Sequence, residues 1–288
     1  MLKKLLKLTC ITMAVVFLGS GIYWQLNKER LQAEFTAFKQ QSAPVLMYHG
    51  VGPEEGTDWP KSLIMPAEVF EEHLQYLTQK GYQLITVEEL AHKLEKGESV
   101  EGYAALSFDD GYKNNYSVAY PLLKKYNAKA SFFVVNKDIG DAIHMNEAEI
   151  KELIAAGMEL GSHTTSHAPL SDIDEKYLAW ELATSRYYLK KNFDGYIVRT
   201  LAYPNGKYNE TVISEAQKYG FYRALTGKVG VNNVQTFSQA PMEMYRVTVA
   251  DDGNGAKGLA ERIDKAYLWG FLQTKGIDLN LIRNLFLH

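Results

Sequence analysis

The sequence predicts an α/β protein folded as a (β/α) barrel of seven or eight units. Three observations carry that expectation. Short apolar runs alternate with amphipathic stretches over most of the chain. The alternation covers about 250 residues without a clear linker, which suits one barrel better than two domains. Residues able to do chemistry fall at or just past the ends of the apolar runs, and strand ends form the active-site face of such a barrel.

Taken in order, Val45 to Tyr48 reads as a strand, then a helix over Ala67 to Lys80, a strand over Gln83 to Ile85 and a helix over Val87 to Lys96. A strand over Ala104 to Phe108 precedes a helix over Asn115 to Tyr126, and a strand over Ala130 to Val135 precedes a helix over Glu147 to Ala156. Gly157 is placed as a helix stop before a strand over Met158 to Gly161. A long helix from Asp174 to Asn192, a strand over Arg199 to Ala202 and a helix over Asn209 to Tyr219 follow. Strands near Tyr222 to Leu225 and Tyr245 to Val249 and a last helix from Lys257 to Leu272 complete the series.

Composition narrows the class. The 288 residues are 46% hydrophobic and 23% charged, with a formal net charge of −3, which excludes a disordered, collagen-like or disulfide-stapled chain. The beginning differs in kind: Lys3, Lys4 and Lys7 precede a nearly uncharged run from Leu8 to Leu26, closed by Lys28, Glu29 and Arg30. Residues 1–30 therefore read as an export signal or a membrane anchor with a cytoplasmic N-terminus. Gly19, Ser20 and Gly21 would suit cleavage, whereas Tyr23 and Trp24 suit an interfacial aromatic belt and favour the anchor. Residues 31–42 read as a short helical stalk and residues 43–288 as the folded domain, placed outside the membrane, anchored or secreted. Beyond Phe35 the chain holds 26 basic and 32 acidic side chains, a poor match for nucleic acid. The single cysteine, Cys10, lies in the apolar run, so the exported part has neither disulfide nor thiol nucleophile. A monomer is expected.

Two motifs carry chemistry. Leu106-Ser107-Phe108-Asp109-Asp110-Gly111 places two carboxylates at a strand end, where alternation of side chains gives them different tasks. Alone, Asp-Asp-Gly is ordinary turn chemistry. Ser162-His163-Thr164-Thr165-Ser166-His167 sets two imidazoles four residues apart, able to converge on one ion if the segment makes a helical turn. Alone, such a pair also suits surface residues or N-cap neighbours; together, one Asp and two His form a common open metal site.

These two motifs resemble those of the polysaccharide deacetylases, the NodB-homology group also called carbohydrate esterase family 4. The likeness spans about Pro44 to Val249, and Pro44 to Val51 with Leu201 to Gly206 resemble the branch that deacetylates poly-β-1,6-N-acetylglucosamine. The resemblance implies a distorted (β/α) barrel and metal-dependent removal of N-acetyl groups. It implies Asp110, His163 and His167 as metal ligands, Asp109 as general base and His49 as general acid. The metal, polarising the carbonyl and activating water, is expected to be zinc, with cobalt, nickel or iron(II) also suited by His2Asp. Tyr203 and Asn205 are expected to serve substrate or oxyanion through the turn they form with Pro204.

The sequence also departs from the wider family. Ala168 separates His167 from Pro169, and Ala202 stands where an arginine usually supports the catalytic aspartate. Arg246 is the proposed replacement that orients Asp109, the alternative being a surface arginine on an edge strand; Arg199 is a weaker candidate. Many members of the family take the acid from a late Leu-x-His motif; this chain ends Leu285-Phe286-Leu287-His288, and that terminal histidine is set aside. Trp59, Tyr112, Tyr203 and Tyr208 are candidates to line a sugar groove.

The function expected is a deacetylase of N-acetylglucosamine units in an extracellular polysaccharide, preferably β-1,6-linked. Peptidoglycan or chitooligosaccharide is the second substrate choice. A rival of another class is a carbohydrate-binding module without catalysis, which would not need the complete Asp-Asp and His-His set. A glycosidase fits poorly, because adjacent carboxylates cannot easily flank a glycosidic bond at separations of ~5 to 9.5 Å.

Overall fold

The computed structural model describes residues 27–52 and 63–277. Most of the expected anchor, Trp59 and His288 lie outside the described residues. Among the described residues, no helix is long and apolar enough to cross a membrane. The chain divides into residues 1–39 and Gln40–His288 as compact units. Helix α1 covers residues 27–40.

From there the elements run β1 (Ser42–Ala43), β2 (Val45–Tyr48), β3 (Gly50–Val51), β4 (Ile64–Met65), α2 (Ala67–Gln79), β5 (Gln83–Ile85), α3 (Val87–Glu95) and β6 (Tyr103–Phe108). Next come α4 (Tyr120–Lys125), β7 (Ser131–Val134), α5 (Glu147–Ala155), β8 (Glu159–Ser162), α6 (Glu175–Asn192), β9 (Thr200–Ala202) and α7 (Glu210–Lys218). The last are β10 (Arg223–Val229), β11 (Asn232–Asn233), α8 (Val234–Gln239), β12 (Met244–Thr248) and α9 (Gly255–Thr274).

Seven strands close a parallel barrel in the order β2, β12, β10, β9, β8, β7, β6, with β6 returning to β2 from Val45 opposite Ala105 to Tyr48 opposite Phe108. The expected β/α rhythm is thus the fold. Strand β5 wedges between the starting halves of β6 and β7: Leu84 lies opposite Ala104, and its carbonyl accepts from Lys129 N–H at 3.0 Å. The two neighbours pair directly only further on, at Ser107 and Phe108 opposite Ser131 and Phe132. Closure leaves no exposed edge in the ring, so every inward side chain faces a shared interior.

Helix α3 plugs the N-terminal mouth. Its apolar stripe of Val87, Leu90, Ala91 and Leu94 forms one core cluster with Val45, Ala105, Phe133, Ala202, Leu225 and Met244. Its first amides are anchored on strand beginnings: Val87 N–H donates to Ser131 Oγ at 2.8 Å and Glu88 N–H to Glu159 Oε2 at 2.8 Å. Thr86 caps it, accepting from Glu89 N–H while the Glu89 carboxylate accepts from Thr86 N–H, which satisfies two amides that the helix cannot.

Two local expectations change. Asn115 to Tyr126 is not one helix but a π turn over Asn115–Ala119 followed by α4. Pro121 has no N–H to offer Ser117, and Tyr120 N–H reaches back to Asn115 O instead. The strand near Tyr222 runs from Arg223 to Val229, pairing with β12 at Leu225 and again, past a shift of register, at Val229.

Candidate active site

Parity along β6 sets the site. Phe108 faces outward, stacked on Tyr48 at 5.4 Å and Phe132 at 5.0 Å, with Phe70 of α2 edge-on at 5.7 Å. Its neighbours Ser107 and Asp109 therefore face the interior. Asp109 stays in the ladder, its N–H donating to Tyr48 O at 3.0 Å, and is only 2% exposed. At Asp110 the backbone enters the left-handed region (φ 72°), followed by Gly111 (φ 78°), so the second carboxylate swings to the barrel's rim. An added Cβ on Gly111 would meet Val134 at 2.9 Å, so the tight turn needs glycine.

Arg246 is no edge-strand surface residue. Strand β12 lies between β10 and β2, and the buried guanidinium donates from Nη1 to both Asp109 oxygens at 2.8 Å and from Nε to Thr226 O at 2.8 Å. Arg199 instead pairs with Glu88 at 2.9 Å, at the barrel's opposite mouth.

His163 also remains in the ladder, its N–H donating to Val134 O at 2.9 Å. Because a carbonyl only accepts, the 2.8 Å contact of His163 Nδ1 with Ala202 O places the ring proton on Nδ1. The Nε2 lone pair is thereby free to face Asp110 Oδ1, 3.4 Å away; His167 Nε2 lies 3.5 Å from the same oxygen.

No helical turn forms between the two histidines; they converge by another route. Thr164 (φ 72°) and His167 (φ 61°) are left-handed, and the carbonyls a helix would use are taken: Thr164 O accepts from Asn136 N–H at 3.2 Å and Thr165 O from Lys137 N–H at 3.0 Å. Such conformations cost ~1–3 kcal/mol each and persist where the surroundings over-determine them. Of the six non-glycine residues with positive φ among those described, four belong to this site: Asp110, Thr164, His167 and Asn205.

Sequence reasoning missed what fixes this loop. Glu181 of α6, fully buried, accepts from Thr165 N–H at 2.8 Å and Ser166 N–H at 2.9 Å through Oε2 and from the Ser166 hydroxyl through Oε1; its backbone carbonyl takes the Thr165 hydroxyl. The signal was present: position 181 falls in the buried stripe of Leu178, Leu182, Ser185 and Leu189, where a lone carboxylate needs several donors.

One carboxylate oxygen of Asp110 and one ring nitrogen each of His163 and His167 lie within 4.8 Å of one another, a possible three-residue metal site. The residues fit such an ion: one hard oxygen and two imidazole nitrogens suit a divalent first-row metal, and the bond of His163 to Ala202 O is the outer contact that orients a histidine ligand. Tyr112 hydrogen-bonds Asp110 from the side and stacks on His144 at 5.1 Å. When bound, the ion supplies Lewis acidity for a carbonyl oxygen and for water.

Charges around the cluster reinforce this. Burial raises the Asp109 carboxyl, but Arg246, His163 and His49 outweigh it and hold the group below the usual carboxylate range. Burial holds His163 below the usual histidine range despite the two aspartates, which keeps its ring neutral and able to donate a lone pair. His49, in the single-residue gap between β2 and β3, is half-buried.

The Tyr203 expectation needs correction. Its ring is fully buried and stacked on Tyr208 at 4.6 Å, its hydroxyl donates to Met242 O at 3.1 Å and its N–H to Leu225 O at 3.1 Å. Strand pairing and core packing consume every donor it has, and Pro204 has none. Asn205, exposed and left-handed (φ 55°), is the part of this turn that remains open to a ligand.

The closed parallel barrel, with an arginine-paired aspartate and an Asp-His-His cluster at its strand ends, defines a (β/α)-barrel protein equipped for hydrolysis. The family model for polysaccharide deacetylase matches residues 96–224, taking in Asp109, Asp110, His163 and His167 but neither His49 nor Arg246. YxkH of Bacillus subtilis, assigned by name to the polysaccharide deacetylases, is 33% identical over 236 residues, 81% of this chain and 80% of that one. Poly-β-1,6-N-acetyl-D-glucosamine N-deacetylase of Staphylococcus aureus is 28% identical over 212 residues, 64% of this chain and 73% of its own. Streptococcus pyogenes deacetylase PplD, solved with acetate, superposes with a TM-score of 0.69 at 28% identity, covering 77% of this chain and 98% of that structure. This chain belongs to the polysaccharide deacetylase family.

Proposed function

We propose that the protein removes N-acetyl groups from N-acetylglucosamine units of an extracellular polysaccharide, with poly-β-1,6-N-acetylglucosamine as preferred substrate. The observation that carries this reading is the buried Asp109–Arg246 pair beside the Asp110, His163 and His167 cluster. The likeness to the S. aureus enzyme supports the choice of polymer. Asp110, His163 and His167 would hold one divalent metal ion, zinc by the match of two imidazole nitrogens and one carboxylate oxygen to its usual ligands.

In this mechanism Asp109 receives the proton of the attacking water. It is suited to do so because Arg246 fixes its orientation without leaving the interior. The oxygen that gains charge as the carbonyl carbon becomes tetrahedral is met by the backbone N–H of Asn205, a type of contact worth ~2.7–4 kcal/mol. His49 gives a proton to the departing nitrogen, since an unprotonated amine is a poor leaving group. Export through residues 1–30, with retention at the membrane, puts the domain where such polymers lie; protease treatment of intact cells that leaves the domain uncut would contradict it.

The test is acetate release by the purified full chain from a β-1,6-linked N-acetylglucosamine hexamer, a β-1,4-linked hexamer and peptidoglycan. Fastest release from the β-1,6 hexamer is expected. Release from peptidoglycan alone would move the substrate, and binding without release from any of the three would favour a carbohydrate-binding module.

A further inference from the structure

Helix α6 carries Glu181 inward and two aromatic rings outward. Tyr177 and Trp180, one turn apart, are each 38% exposed and stack on each other at 5.2 Å with their planes 9° apart. Large apolar rings left in water are informative where they are ordered, and these are. The Tyr177 hydroxyl hydrogen-bonds Ser166 Oγ at 3.1 Å, next to His167, and the Lys137 ammonium lies 5.1 Å from the Trp180 ring centre. The backbone N–H of Lys137 donates to Thr165 O, so both borders of the stack are tied to the loop that carries the two histidines.

We propose that Tyr177 and Trp180 form a binding subsite for a pyranose ring of the polymer, beyond the unit whose acetyl group is cleaved. This rests on the function proposed above. A pyranose presents one face of C–H bonds and a rim of hydroxyls. The flat aromatic stack matches the face; for the rim the Lys137 ammonium is a donor, and the Tyr177 hydroxyl, whose one proton goes to Ser166 Oγ because Ser166 donates to Glu181, is an acceptor. The bond to Ser166 fixes the ring before substrate arrives, which reduces the ordering cost of binding. Continuity with the histidine loop singles out the polymer as occupant: a chain whose reacting unit sits at the cluster must continue over the rim. Tyr187, two turns further along α6 and 66% exposed, takes no part in the stack and serves as the control.

The experiment compares kcat/KM for acetate release from β-1,6-linked N-acetylglucosamine dimer and hexamer by the full chain. Trp180→Leu, which keeps apolar bulk but loses the ring, is expected to lower the hexamer-to-dimer ratio about three- to tenfold. Trp180→Tyr is expected to restore it, and Tyr187→Ala to leave the ratio as it is. Hexamer binding to the Asp109→Asn chain, followed by calorimetry with and without Trp180→Leu, should weaken by the same factor. An unchanged ratio and unchanged binding in Trp180→Leu overturn the subsite while leaving the proposed function intact. If the wild type releases no acetate, the proposed function fails, and the binding arm still decides the subsite: weakening supports it and equal binding refutes it.

Discussion

Arg246 donates from one nitrogen to both oxygens of Asp109, 137 positions earlier in the chain, and both side chains are almost wholly buried. The closed ring makes this contact possible, because β2 separates β6 from β12 and all three project side chains into one interior. Removing one partner of a buried pair leaves an uncompensated charge and costs ~3–5 kcal/mol. Arg246→Ala should lose about that much stability, with kcat falling. The double variant Arg246→Ala with Asp109→Asn should recover part of the stability but none of the activity. Denaturant unfolding of the four species measures the coupling; additive losses would show that the pair does not act as a unit.

Glu181 holds the histidine loop in a conformation its own sequence disfavours. Outer contacts of this kind typically affect metal affinity by ~10–100-fold. Glu181→Ala should weaken binding of a divalent ion by that order, read by competition with a chromogenic chelator. Affinity equal to wild type would mean that the bonds from Asn136 and Lys137 suffice to hold the loop.

Loss of a general acid typically lowers rates by ~10²–10⁴-fold. His49→Gln should fall in that range while retaining its metal content, and His288→Gln should be close to wild type. The reverse pattern would hand the acid role to the chain's end.

Glu159 opens β8 at the plugged mouth, buried, accepting from the hydroxyls of Ser131 and Thr200 and from Glu88 N–H. Burial is the largest influence and raises its carboxyl above the ordinary 4.5, although the three donors oppose it. The folded protein therefore keeps a proton that the unfolded chain has already lost. Stability from this group is complete below the unfolded value and declines as pH rises through the higher folded one, by at most ~1.4 kcal/mol per pH unit. Unfolding free energies should fall with pH in that window for wild type and less steeply for Glu159→Gln; parallel slopes would assign the dependence to other groups.

Much of the fold was legible because most barrel strands hold a short apolar run and most helices bury an apolar stripe. Asp109, Asp110, His163 and His167 were legible because two short motifs place them at strand ends. Arg246 was inferred from the missing arginine at Ala202, and the barrel's closure supplies the reason it reaches Asp109. What escaped depends on long-range contacts. The left-handed turn at Thr164 is imposed by residues 136, 137 and 181, and Tyr203 looked like a ligand because nothing nearby in sequence reveals that Leu225 and Met242 take its donors. The π turn before Pro121 follows from a single absent N–H, which periodicity does not register.

The proposed deacetylation depends on Asp110, His163 and His167 together with a divalent ion. Its most direct test is acetate release from the β-1,6-linked N-acetylglucosamine hexamer by the full chain before chelation, after chelation and after zinc is restored. Loss on chelation and recovery with zinc in the wild type, with no recovery in His163→Asn, is the predicted result. Release that survives complete removal of metal, or that His163→Asn retains in full, would contradict the account.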